Sequence, residues 1–306
     1  MSTLEALQKQ ISSGEDLSSI VRTMKALAAT SVRQYEKAAE SLDDYYHTIE
    51  LGLSVALSKQ LQQETKAKTA YAFNSASENP YLLIIFGSDH GLAGRFNEQI
   101  VSYALEEFWQ KNEDTPRTLP QGSNFLAVGE QVITRISATG ITPAEIYHMP
   151  SSISAITPFT QQLLEEIERW RNLENVERVM LFYNRPETGG FNPRAETLLP
   201  VDMPRLHETR LKWESRSLPT YTLPREQLLS ALLRQYFFVS LYRACALSLA
   251  AENTSRLAAM QAAEKNIDER LGELKTSYQH ERQAAITEEL LDIISGFRAV
   301  KGSLSS

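Results

Sequence analysis

The sequence predicts a mixed α/β fold: a long antiparallel coiled coil of N- and C-terminal helices, with a small Rossmann-like α/β domain inserted between them. Three observations predict it. The first 70 residues hold no proline and only two glycines, Gly14 and Gly52. After Pro224 the chain again lacks proline and is rich in Ala, Leu, Glu, Gln and Arg, all strong helix formers. Between these ends, short apolar runs alternate with helical stretches, the pattern of strands and crossover helices. The expected segments are 1–70 for the first helix, 80–200 for the α/β domain, 201–223 for a connector and 224–306 for the last helix.

In the first helix, Leu17, Val21, Met24, Ala28, Ser31, Tyr35, Ala38, Leu42, Tyr45 and Ile49 step by four and three without a miss. That is a heptad seam, with small residues at Ala28, Ser31 and Ala38 where a partner helix can come close. Ser13-Gly14-Glu15-Asp16 is a place where the helix can kink or restart. From Pro80 the texture changes. YLLIIFGS (81–88) reads as a buried strand and is followed by the loop Gly87–Gly94, with Asn97 as a helix cap. A turn over 115–122, a strand NFLAVG (124–129), a helical piece Glu130–Ala138 and a short strand in IYHM come next. A helix from about Thr157 to Asn172 leads into the strand RVMLFYN (178–184). Pro186, Pro193, Pro200, Pro204 and Pro219 crowd 185–223, which predicts a hairpin or edge strand and then a connector.

In the last helix the apolar stripe runs Ile267, Leu271, Leu274, Tyr278 and resumes at Ile286, Leu290, Ile293, Phe297 and Val300. The step of eight between Tyr278 and Ile286 turns the stripe or changes the supercoil. A helix of roughly 70 residues would be about 105 Å long and needs a partner along it, most simply the other terminal helix.

Composition narrows the function classes. Hydrophobic residues make up 42% and charged ones 23%, as in soluble globular proteins. No apolar run reaches 18 residues, and the start lacks the pattern of a signal peptide. The single Cys245 excludes an internal disulfide and fits a reducing, cytosolic setting. A net charge of −7 argues against wholesale nucleic-acid binding.

Chemistry-bearing motifs are sparse. Gly87, Gly91 and Gly94 fit neither G-x-G-x-x-G nor G-x-x-x-x-G-K-[ST], so tight strand-to-helix geometry accounts for them. The five histidines show no metal-ligand spacing, and Asp89-His90 is the one loop dyad with acid–base potential. Arg22, Lys25 and Arg33 fall within about 80° of one another around the helix, either a solvated face or a docking strip for an acidic partner. Ile293, Ile294, Phe297 and Val300 put an apolar tip at the far end of the last helix.

Leu249-Ala-Ala-Glu-Asn-Thr-Ser-Arg-Leu-Ala-Ala-Met-Gln-Ala-Ala-Glu-Lys-Asn266, Arg282-Gln-Ala-Ala-Ile-Thr-Glu-Glu-Leu290 and Ile294-Ser-Gly296 resemble the signature of the γ subunits of F-type ATP synthases. Ser88-Asp-His-Gly-Leu-Ala-Gly-Arg-Phe-Asn97 is similar to that family's S-D-R-G-L-C-G-G-F-N, and Thr23-Met-Lys25 with Ala28-Ala29 to its A-M-x-M-V-A-A-S-K. Two departures stand out: Thr30-Ser31-Val32-Arg33 where the family has Ser-Lys, and Ala93-Gly94-Arg95 for Cys-Gly-Gly. They mark a divergent branch, of which the alternative, often sodium-linked, F-type ATPase is one.

The resemblance implies a non-catalytic rotary shaft with no cofactor, no metal and no direct small-molecule ligand. It couples ion translocation to ATP synthesis or hydrolysis at the β subunits. The implied partners are the α and β subunits of the α3β3 hexamer, the epsilon subunit and the c-subunit ring. The implied place is peripheral, on the cytoplasmic face of a bacterial or archaeal plasma membrane. Rotor–stator contacts would fall on Arg22, Met24, Lys25, Arg33, Arg282, Gln283 and Thr287. Ile293, Ile294, Phe297 and Val300 would be the apolar tip bearing, and Ser88, Asp89, Gly91, Gly94 and Asn97 the foot loop toward epsilon and the c ring. Two other classes compete: a phosphate-binding α/β enzyme with helical arms, which a nucleotide would stabilise, and a passive coiled-coil adaptor, which would self-associate.

Overall fold

The computed structural model describes residues 3–64, 80–111, 123–137, 142–201 and 220–303. In chain order these form α1 (Thr3–Glu40), α2 (Asp43–Glu64), β1 (Tyr81–Phe86), α3 (Phe96–Lys111), β2 (Asn124–Val128), α4 (Glu130–Ser137), β3 (Glu145–Tyr147), α5 (Ile153–Leu173), β4 (Arg178–Glu187), β5 (Gly190–Leu199) and α6 (Arg225–Ser303). The turn expected at 115–122 and most of the connector expected at 201–223 lie outside the described residues. The chain divides into two compact units: Met1–Leu27 with Leu257–Ser306, and Ala28–Arg256. The unit holding the sheet therefore takes in more chain than the expected 80–200.

In the first unit α1 and α6 pair antiparallel. Glu15 meets Lys275, Gly14 meets Leu271, and Arg22 meets Asp268 and Glu264, so partners on α6 fall in number as those on α1 rise. The helix does not restart at Gly14; it runs unbroken from Thr3 to Glu40. A Cβ there would lie 2.7 Å from Leu271 Cδ2, so the glycine serves close approach rather than a restart. The seam is also shifted from the expected one. Gly14, Ser18 and Val21 turn inward, while Leu17 is 53% exposed. Small residues win the inner positions because the helices run too close for a leucine. On α6 the stripe Ile267, Leu271, Leu274, Tyr278 is withdrawn from solvent as expected, Leu271 most of all.

In the second unit a break at Ser41–Leu42 separates α1 from α2, where one helix was expected. There the buried stripe runs Tyr35, Ala39, Tyr46, Ile49, Leu53, and Tyr45 faces out. The sheet order is β3-β2-β1-β4-β5, parallel except for the β4–β5 hairpin. β1 is buried on both faces, which is why it reads as an unbroken apolar run. Leu82, Ile84 and Phe86 join one core with α2, α5 and α6; Leu83 and Ile85 join another with Ile100, Val101 and Ala104 of α3 and Val132 and Ile136 of α4. α5 begins at Ile153, ahead of the expected Thr157, and carries Pro158 inside its early turns. Sixth in the helix, Pro158 lies past the first turn and leaves the Ser154 carbonyl without the N–H that would otherwise bond to it.

Candidate functional site

The strand order reverses between β1 and β4, the place where open α/β sheets form a ligand crevice beyond the strand ends. Here that place is filled. The Phe96 ring lies 5.4 Å from that of Phe191, and both pack with Ala93 and with Ala251 of α6. Ser255 of α6 donates its hydroxyl to the Ala93 carbonyl at 2.6 Å, fastening the loop to the long helix.

The loop from Gly87 to Arg95 is built around Asn97. This residue is inside α3 rather than its cap: its Oδ1 accepts from the Ser88 N–H at 2.9 Å and its Nδ2 donates to Ser88 Oγ at 2.8 Å. Ser88 Oγ in turn donates to the His90 carbonyl at 3.0 Å. A Cβ on Gly87 would fall 1.9 Å from Val132 and 2.6 Å from Asn97 Oδ1, so glycine is required there. Gly94 takes a φ of +56°, whereas Gly91 has open space around it. Asp89 does not pair with His90. Its carboxylate accepts the Met149 N–H at 2.9 Å and the Glu130 N–H at 3.2 Å, tying the ends of β1, β2 and β3 together. The nearest imidazole is that of His148, with Nδ1 at 3.5 Å. Ser88 and Asn97 are thus buried, and Gly91 and Gly94 exposed.

The α6 signature from Leu249 has a local reason in the same place. Glu252 is buried and pairs with Arg256 at 2.6 Å. Burial pushes its carboxyl above the usual range, with Arg256 pulling the other way and Asp89 adding to the rise. Cys245, one helical stretch earlier, is fully buried and burial pushes its thiol up, so it packs rather than reacts. Among the described residues no group of His, Cys, Asp and Glu side chains is arranged to hold a metal ion.

The first unit holds the other candidates. Arg22 Nε donates to Glu264 Oε1 at 3.1 Å and its Nη2 reaches Asp268 at 3.6 Å, while Lys25 Nζ donates to Glu264 Oε2. The hydrogen bond from Lys25, then that from Arg22, holds the Glu264 carboxyl below its usual range. Met24 is half-buried. In the second unit Arg33 is exposed and makes no ion pair among the described residues. Arg282, Gln283 and Thr287 are all exposed; the Thr287 hydroxyl donates back to the Gln283 carbonyl at 2.8 Å. Every described side chain from Glu281 to Ile294 faces solvent, including Ile286, Leu290, Leu291, Ile293 and Ile294. α6 continues through Phe297 and Val300, whose side chains lie outside the described residues. Glu264 and Ser255 were missed in the sequence, although Glu264 falls in step with Met260, Ile267 and Leu271, the signal that would have found it.

A family model described as ATP synthase matches residues 3–300. The chain is 26% identical to the ATP synthase gamma chain of Pelagibacter ubique, over 97% of this chain and 99% of that one. It is 28% identical to the gamma chain of Rhizorhabdus wittichii, over 98% and 100%. Among solved structures, the fold is similar to a chain in the rotor of the Euglena gracilis mitochondrial ATP synthase (16% identity, 93% and 99% covered, TM-score 0.60). It is also similar to one in the central stalk and c-ring structure of the Tetrahymena thermophila enzyme (20% identity, 80% and 99% covered, TM-score 0.52). Matched over residues 3–300 by the family model and over nearly its whole length by these gamma chains, the chain belongs to the ATP synthase gamma family.

Proposed function

We propose that the first unit is the part of the shaft that turns inside an α3β3 hexamer, and that the loop at Ser88–Asn97 belongs to its foot, toward epsilon and the c ring. The observation that carries the reading is the end of α6. It bears a run of side chains from Glu281 to Ile294 that no described part of the chain covers, with five large apolar residues among them. Soluble chains seldom leave such a stripe bare, and an enclosing sleeve explains it. Ile293 and Ile294, with Phe297 and Val300 beyond them, then form the bearing. Arg282, Gln283 and Thr287 on α6, with Met24, Arg22, Lys25 and Arg33 on α1, meet the stator loops as the shaft turns. Arg22 and Lys25 do so with the 60% and 34% of their side-chain surface left open beside Glu264.

Catalysis stays with the β subunits. What the shaft supplies is a different face to each of them, and only differential contact shifts a conformational equilibrium. At the foot, the exposed Gly91 and Gly94 offer backbone to a partner, while Ser88, Asp89 and Asn97 hold the loop's shape. Among the described residues no helix is long and apolar enough to cross a membrane. The reading places the chain peripherally at the membrane, held through the c ring, on the cytoplasmic face of a bacterial or archaeal plasma membrane as the family resemblance implies.

The test is purification of the tagged chain from its native membranes with ATPase and ion-pumping assays. Recovery with α and β subunits, and ATP hydrolysis that a truncation before Arg282 uncouples from pumping, is the expected result. Recovery alone or as a homo-oligomer would overturn the reading.

A further inference from the structure

The seam between α1 and α6 in the first unit is apolar or small at most positions: Ile11, Gly14, Ser18 and Val21 on one side, Met260, Ile267 and Leu271 on the other. Steps of four and three from these residues land on Lys25 and on Glu264. At this level each helix puts a charge into the seam. Glu264 keeps only 19% of its side-chain surface exposed, and both its oxygens are taken from across the seam, one by Lys25 and one by Arg22. A charged residue at a seam position lowers stability yet selects register, because any slip or rotation sets the charge against apolar side chains without its partner. Small residues such as Gly14 and Ser18 discriminate poorly between registers. The exposed Glu15–Lys275 pair at 2.8 Å, with 54% of each side chain open, survives a small slip by re-bending its long side chains.

We infer that Glu264, clasped by Lys25 and Arg22, is a register key that fixes the two helices against sliding and turning past each other. It rests on the shaft reading, since a rotor must carry torque from one helix to the other without slip. Glu264 here is a positioning residue, touching no substrate.

The experiment uses the assembled complex in membrane vesicles and reads ions pumped per ATP hydrolysed, alongside heat resistance. Lys25→Glu and Glu264→Lys singly should each lower the pumping ratio at least about twofold, the lower end for coupled neighbours. The double exchange, Lys25→Glu with Glu264→Lys, should restore most of it. An apolar pair, Lys25→Met with Glu264→Leu, should assemble and resist heat at least as well as the parent, and still pump fewer ions per ATP. That last result separates register from stability and needs no damaged variant to fold. Full coupling in the apolar pair, or an exchange no better than the single changes, would overturn the key while leaving the shaft intact. Failure of the unchanged chain to purify with an ATPase would sink both.

Discussion

At Gly14 the absent side chain sets the distance between two helices. Its hypothetical Cβ meets only the far end of Leu271, which can rotate away. Alanine there regains helix propensity of about 1 kcal/mol and should leave stability within about that amount of the parent. Gly14→Leu has nowhere to put its extra carbons and should cost about 1–3 kcal/mol, read as an earlier melt and faster amide exchange along α1. At Glu252 the prediction concerns pH. Its carboxyl is raised in the folded chain by burial, so the folded state holds that proton more tightly than the unfolded state does. The stability this contributes is fully present below the ordinary carboxylate range and is lost as pH rises through the raised value. Glu252→Gln should remove that dependence, so the gap in unfolding midpoint between variant and parent should move in the variant's favour as pH climbs from 4. A constant gap from pH 4 to 8 would contradict the assignment.

The loop after β1 shows the same economy one level up. Two hydrogen bonds between Asn97 and Ser88, one given each way, hold Ser88, and Ser255 holds Ala93, so the loop is fixed from α3 on one side and α6 on the other. Asn97→Ala strands the buried Ser88 amide, while the Ser88 hydroxyl keeps its bond to the His90 carbonyl, and should cost about 1–3 kcal/mol in urea unfolding. Much of this level was legible in the sequence. β1, β2, β4 and the α6 stripe announced themselves because burial on two faces or on one helical face imposes a simple period. The hairpin into β5 followed from its prolines. What stayed hidden depends on partners distant in the chain. Asn97 reads as a cap until Ser88 is placed beside it, and Leu17 reads as a seam residue until the helices prove too close to admit it. Lys25 and Arg22 read as surface charges for the same reason, since nothing local shows that Glu264, over two hundred residues away, stands opposite.

For the whole molecule, the family signature divides between two tasks. Its first part, from Leu249 to Arg256, is spent inside the second unit, burying Ala250 and Ala251 and fastening a loop through Ser255. Its second part, from Arg282 to Leu290, packs against none of the described residues of the chain and is exposed throughout. The bare stripe at the end of α6 also bears on the life of the subunit before it is built in. A copy made in excess of its partners carries five large apolar side chains in the open, the feature that chaperones and housekeeping proteases recognise. On the proposed bearing reading, the surface on which the finished part turns would thus mark every spare part for removal, keeping the supply of shafts matched to the supply of housings.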